Sequence, residues 1–122
     1  MRFARWTFVL AGVYGVLVVA PLYFLEAKIS REQPPPISHV EYFYGFIGVT
    51  LAWQLLFLVI ANDPVRFRPA MPVAVLEKVS FAAAVLALYA LGRVGGQTLA
   101  FSMIDGVLGA LFVAAYVRTP RQ

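Results

Sequence analysis

The sequence predicts an all-helical, polytopic membrane protein: a bundle of four transmembrane helices with both termini in the cytoplasm. Three observations carry this reading. Apolar stretches over about residues 3–25, 39–61, 72–92 and 98–117 fill nearly all of the 122 residues, and about 20 mostly apolar residues suffice to cross a bilayer core. Hydrophobic residues make up 61% of the chain and its mean hydropathy is +0.80, against the roughly 45–50% apolar usage of a soluble domain. The basic residues sit in loops and termini, with a bias to one side of the topology that four spans create. A chain of this length is expected to form one domain, residues 1–122.

The orientation rests on that bias. One side collects Arg2, Arg5, Arg66, Arg68, Arg118 and Arg121, with Lys78 near its boundary. The other holds Lys28, Arg31 and Arg93. Short loops rich in Lys and Arg stay in the cytoplasm, so both termini and the Arg66–Arg68 loop are expected there. The expected location is an inner (cytoplasmic) membrane of bacterial type. The net charge of +4 does not point to nucleic acid, because the basic residues form no common face. Without cysteine the chain has no disulfide and no thiolate chemistry.

The first span begins near Phe3. Met1-Arg2-Phe3-Ala4-Arg5 before an apolar run has the form of a signal peptide, but Pro21 would follow a cut after Ala20. An uncleaved helix is expected instead, kinked or tightened in its last turn at Pro21. Glu26 to Ser38 is the longest polar stretch, and Pro34, Pro35 and Pro36 favour an extended, semi-rigid backbone. Ser38 and Glu41 have the spacing of a capping box, which would start the second span. Asp63-Pro64 can open a short helical turn in the next loop. The third span follows Pro72, Gly95 and Gly96 make a tight connection, and the fourth span starts near Thr98. Ser102 and Asp105 also have capping-box spacing, which would move that start to Ser102.

Three ionisable residues lie in spans: Glu77, Lys78 and Asp105. Such residues are rare in lipid and mark functional sites by default. Two readings stand for each carboxylate. One is a proton- or cation-linked site. The other, favoured on the sequence, is structural: Glu77 paired with Lys78 and with Arg66 or Arg68, and Asp105 as a capping residue. Glu77 falls nearer the inner surface and Asp105 nearer the outer, so no direct acid–acid pair is expected. Helical spacing puts Glu77, Ser80, Ala84 and Ala87 on one face, and Ser102, Asp105, Gly109 and Phe112 on another.

Thr50 and Gln54 share a face of the second span, roughly opposite Gly45, Gly48 and Ala52. Small residues let helix backbones approach, so one face is expected to pack and the other to hydrogen-bond. Gly12 and Gly15 in the first span, and Gly106, Gly109 and Ala110 in the fourth, are further close-contact positions. Trp53 is expected to pack within the bundle. His39, the single histidine, reads as a surface residue at a helix start. No metal site and no cofactor are expected.

Small multidrug transporters and fluoride channels are also four-helix proteins near this size. The first group needs a carboxylate in mid-span one and the second an asparagine motif in span two, and neither is present. The span pattern, with Leu76-Glu77-Lys78 opening the third span and Asp105 in the fourth, resembles small DoxX-like four-helix membrane proteins. Some of these are accessory parts of quinone-linked systems. The resemblance implies an accessory role and carries no site residues with it. The expected function is a non-catalytic interaction protein, an accessory subunit of a larger complex or a homo-oligomer, in contact with lipid. The alternative is a small transporter or hydrophobic-ligand-binding protein using Glu77 or Asp105.

Single cysteines introduced at Gln33 and Gln122 are expected to label from opposite sides of the membrane, Gln122 from the cytoplasm. Labelling of both from one side would end the four-span reading.

Overall fold

The computed structural model describes residues 2–121. The described residues form helices and turns, with no strand among them. Five α-helices run in order: α1 (Arg2–Val19), α2 (Glu26–Glu32), α3 (Val40–Asn62), α4 (Met71–Ala90) and α5 (Gly96–Arg118). Short 3-10 helices at Ala20–Phe24 and Arg68–Ala70 extend α1 and lead into α4. Four of the resulting segments are long and apolar enough to cross a membrane.

The long helices pack as two pairs, α1 with α3 and α4 with α5, joined along an α1–α5 seam. By comparison α3 and α4 barely touch. The bundle is therefore closed on three seams and thin on the fourth.

Its closed end is the one that carries both termini. The Arg118 guanidinium lies 4.3 Å over the Phe3 ring there. The apolar core fills this half with Ala4, Phe8 and Ala11 of α1, Phe57 and Ile60 of α3, Met71 and Ala74 of α4, and Phe112 and Ala115 of α5. Three rings knot it together. Phe8 stacks on Phe112 at 4.3 Å between centroids, and Phe57 meets Phe112 edge-on at 5.0 Å. In lipid no water is expelled when helices meet, so such dense dispersion contacts carry association.

Arginines finish the helix ends here. Arg5 Nε donates to the carbonyl of Ala61 at 3.2 Å, near the last turn of α3. Arg68 Nε donates to the carbonyls of Tyr116 (3.2 Å) and Thr119 (2.8 Å), and its guanidinium lies 3.9 Å over the Tyr116 ring. Both satisfy orphan C-terminal carbonyls and oppose the negative helix end. Asp63 opens one turn as expected: its carboxylate accepts the Arg66 N–H at 3.3 Å and its carbonyl the Phe67 N–H at 3.0 Å. Arg66 itself is exposed.

The first span is α-helical to Val19 and tightens, as Pro21 leads one to expect, into the 3-10 turn that holds it. Several sequence expectations change. Glu26–Glu32, expected as part of a polar loop, is helical. Its Ala, Lys, Arg and Glu residues are good helix formers, with Glu26 in the first turn and Arg31 in the last to suit the helix dipole. The capping box at Ser38 does not form. α3 starts at Val40 with no side-chain cap, and Glu41 turns instead to His39 Nδ1 at 3.5 Å. The reading of Ser102 as a cap is also overturned. α5 starts at Gly96, and the Ser102 hydroxyl donates within the helix to Leu99 O at 2.8 Å.

α4 ends in a Schellman motif. Gly92 takes φ +73°, Gly92 N–H bonds Tyr89 O, and Arg93 N–H bonds Leu88 O. At the far end α2 is tied down by the Tyr44 hydroxyl, which donates to Glu26 Oε1 at 2.8 Å, and by the Ile37 N–H, which donates to Ser30 Oγ at 3.0 Å.

Phe112→Ala is expected to destabilise the bundle by roughly 2 kcal/mol, the value for a void of about 100 Å³ at about 24 cal/mol per Å³. Phe101→Ala, on the open half of the same helix, should cost much less, because Phe101 is 53% exposed. Thermal unfolding of the two variants in mild detergent checks the contrast.

Candidate functional site

Above the aromatic knot the bundle opens into a cleft of about 320 Å³. All four long helices contribute to its wall: Tyr14, Gly15 and Val18 from α1, Phe46, Thr50 and Gln54 from α3, Glu77, Lys78 and Phe81 from α4, and Thr98, Phe101 and Asp105 from α5. Gln33 and Gln97 lie at its α2 end. The cleft exists because α3 and α4 are joined near the core by a short loop and are otherwise only weakly in contact.

The three ionisable residues of the spans meet at its base. Lys78 Nζ donates to Asp105 Oδ1 at 3.3 Å and lies 3.8 Å from Glu77 Oε2. It also sits 5.2 Å over the Phe57 ring, within cation–π range. One ammonium thus bridges two carboxylates and rests on the aromatic knot. Lys78 lies about 10 Å along α4 by helical rise, and its side chain is 3% exposed.

Gly109 lies beside the Lys78 stem. A Cβ on Gly109 would meet Lys78 Cβ at 3.4 Å and Val79 Cγ2 at 3.5 Å. The Lys78 stem lies against α5 there, and the side chain then reaches one turn along α5 to Asp105. Gly106 faces Ala82 more loosely, at 3.8 Å.

Gln54 forms the opposite wall. It is 1% exposed. Its Nε2 donates to Thr50 O of its own helix at 2.9 Å. The expected cross-helix hydrogen bond from this face is therefore absent from the described contacts, and Gln54 Oε1 is buried without a partner. That amide occupies the space where a side chain on Gly15 would begin. At Gly12, a Cβ would sit 2.7 Å from Leu58 Cδ2. Gly12 and Gly15 are thus close-contact positions of the α1–α3 seam.

The small, polar stripe expected on α4 does not line the interior either. Ser80, Ala84 and Ala87 are exposed, while α4 buries Met71, Ala74, Lys78, Ala82 and Val85. On α5 the expected face is inward: Ser102, Gly109 and Phe112 are buried and Asp105 is half-buried. Trp53 packs partly buried against the core. Gly45 has open space around it and Ala52 is exposed, whereas a Cβ on Gly48 would lie 3.4 Å from the Tyr23 hydroxyl.

The sequence separates Glu77 and Asp105 by depth and pairs Glu77 with Lys78 and with an arginine of the inner loop; the Lys78 pair is present. The structure joins both carboxylates through Lys78, and Arg68 is spent on the end of α5. The signal was present in the sequence: a lysine inside a span needs a counter-charge, and Asp105 is the one ionisable span residue away from its own turn. The cleft wall of Tyr14, Phe46, Phe81 and Phe101 had no such signal.

The arrangement supplies carboxylate and amide oxygens beneath an apolar wall. It offers no activated nucleophile, and no group of three His, Cys, Asp or Glu residues able to hold a metal occurs among the described residues. No family model matches the chain, and no curated protein or solved structure matches it.

Charge counting orders the variants at this site. Lys78→Met leaves two carboxylates without a cation and is expected to destabilise by about 3 kcal/mol or more, as for other buried charges stripped of a partner. Asp105→Asn leaves one ammonium with one carboxylate and should cost clearly less. Melting temperatures in one detergent test the order, and the reverse order would show that the bridge is not what stabilises the trio.

Proposed function

We propose that this chain is a non-catalytic integral membrane protein that binds a small amphiphilic ligand in its intramembrane cleft. The single observation that carries the reading is the polar trio of Glu77, Lys78 and Asp105 at the base of a 320 Å³ cleft whose upper wall is apolar. Ligand sites have this form: volumes of about 300–1,000 Å³, a mainly apolar lining and a few convergent polar groups. Buried charges that served packing alone would be expected in a closed interior. Here the two carboxylate side chains, Glu77 at 15% and Asp105 at 20% exposed, border open space, with Lys78 behind them.

The closed and open halves give the cleft a direction. The aromatic knot of Phe8, Phe57 and Phe112 blocks it toward the termini. With the termini in the cytoplasm of a bacterial cell, as the arginine bias favours, the cleft faces the outer leaflet and the outer surface. The protein then serves as a binding protein or a small transporter for molecules arriving from that side. Association with another membrane subunit, or with itself, is the second reading. It is supported by the outward Gly45 and Ala52 of α3, which face no neighbour within the bundle.

Thr50→Trp places a large ring in the cleft without touching the aromatic knot. The full chain purified in mild detergent is expected to carry a small amphiphile detectable by native mass measurement, and Thr50→Trp at unchanged melting temperature is expected to lose it. Equal ligand content in the two chains, or none in either, would sink the binding reading.

A further inference from the structure

We infer that the ligand of the cleft is an organic cation: a protonated amine carrying an apolar body. This rests on the binding reading above and adds the chemistry of the occupant. Two carboxylates share one ammonium, so with both ionised the trio carries one net negative charge. A net charge in an apolar interior is costly unless a further positive partner is present.

The exposure of the three groups says which of them a ligand meets. The Lys78 side chain is 3% exposed, while Glu77 is 15% and Asp105 20% exposed. Lys78 is held from below by Phe57 and along its stem by Gly109. It neutralises the site from behind and presents little of itself to the cleft.

The groups left without hydrogen-bond partners are both acceptors. Glu77 Oε2 is buried and has no hydrogen bond, lying 3.8 Å from Lys78 Nζ. Gln54, 1% exposed, borders the same cleft from the other hairpin, but its unpartnered Oε1 is turned onto Gly15 of α1, which leaves Glu77 as the acceptor nearest the cleft. A buried acceptor without a donor costs about 1–3 kcal/mol. An ammonium head supplies three N–H donors and the missing positive charge in one group. A carboxylate ligand supplies neither.

The remaining wall selects the body of that ligand. Phe46 and Phe81 lie with ring centroids 6.3 Å apart, one on each side of the thin α3–α4 seam, and Phe101 adds a third ring from α5. Aromatic faces attract a cation as well as an apolar chain. Calcium and magnesium ask for about six or more oxygens in a close shell, which this mostly apolar wall does not provide.

Three probes with one phenylbutyl body test the inference on the full chain in lipid nanodiscs, with partition into empty discs subtracted: 4-phenylbutylammonium, 4-phenylbutanol and 4-phenylbutyrate. The ammonium is expected to bind about tenfold more tightly than the alcohol, the value of one charge-assisted hydrogen bond, and the butyrate most weakly. In Glu77→Gln and in Asp105→Asn the trio is neutral, and the ammonium-to-alcohol ratio should fall toward one. If one of these variants fails to fold, the other carries the same test.

Equal binding of ammonium and alcohol to the wild type would overturn the cation assignment while leaving the cleft a ligand site; a carboxylate that merely holds a proton gives that result. Tightest binding of the butyrate would overturn it too, and would make Lys78 the recognition group. Binding of none of the three would end both the assignment and the binding reading beneath it.

Discussion

Lys78 places a positive charge about 10 Å along a membrane helix, and the neighbouring helices are arranged around the need to neutralise it. Glu77 stands beside it on α4, Asp105 reaches it from α5, and Phe57 of α3 lies beneath it. Three of the four long helices thus meet at one ammonium group. Gly109 belongs to the same arrangement, since a Cβ there would lie in van der Waals contact with Lys78 Cβ, at 3.4 Å. The tight α4–α5 pair and the position of the cleft base both follow from this contact.

Below and above that level the bundle has opposite characters. On the termini side, rings, small residues and arginine-capped helix ends leave little open space. Arg5 and Arg68 satisfy carbonyls of α3 and α5 that would otherwise face the membrane boundary unpaired. On the α2 side the hairpins separate, α3 and α4 make few contacts, and polar oxygens are left without donors. A bundle optimised only for packing would fill that half, as Phe8, Phe57 and Phe112 fill the other. The difference between the halves is what gives the cleft a closed base and an open end.

Much of the architecture was legible in the residues one segment at a time. The four spans, the turn at Asp63 and the inward face of Ser102, Asp105, Gly109 and Phe112 all follow from short-range pattern. Errors gathered where two local signals compete. Ser38–Glu41 and Ser102–Asp105 both have the spacing of a capping box, and neither forms one. In the first case the helix starts two residues after Ser38, and in the second the apolar run had already begun the helix six residues earlier. Pro34 to Pro36 favour an extended chain, while the preceding Glu26–Glu32 has enough helix formers to make about two turns of its own.

The sequence by itself determined how many helices cross the membrane, about how long they are and which residues are polar within them. These depend on apolar length and composition along one segment, which the bilayer thickness reads directly. Only the tertiary structure decided which faces look inward. In a soluble helix the polar face reveals the buried one, but lipid and bundle core are equally apolar, so a span such as α3 carries little sign of its orientation. That is why Gly12 and Gly15 could be placed on a face but not against Leu58 and Gln54. It is also why Lys78 and Asp105, 27 residues apart on different helices, became a pair only when the helices were packed.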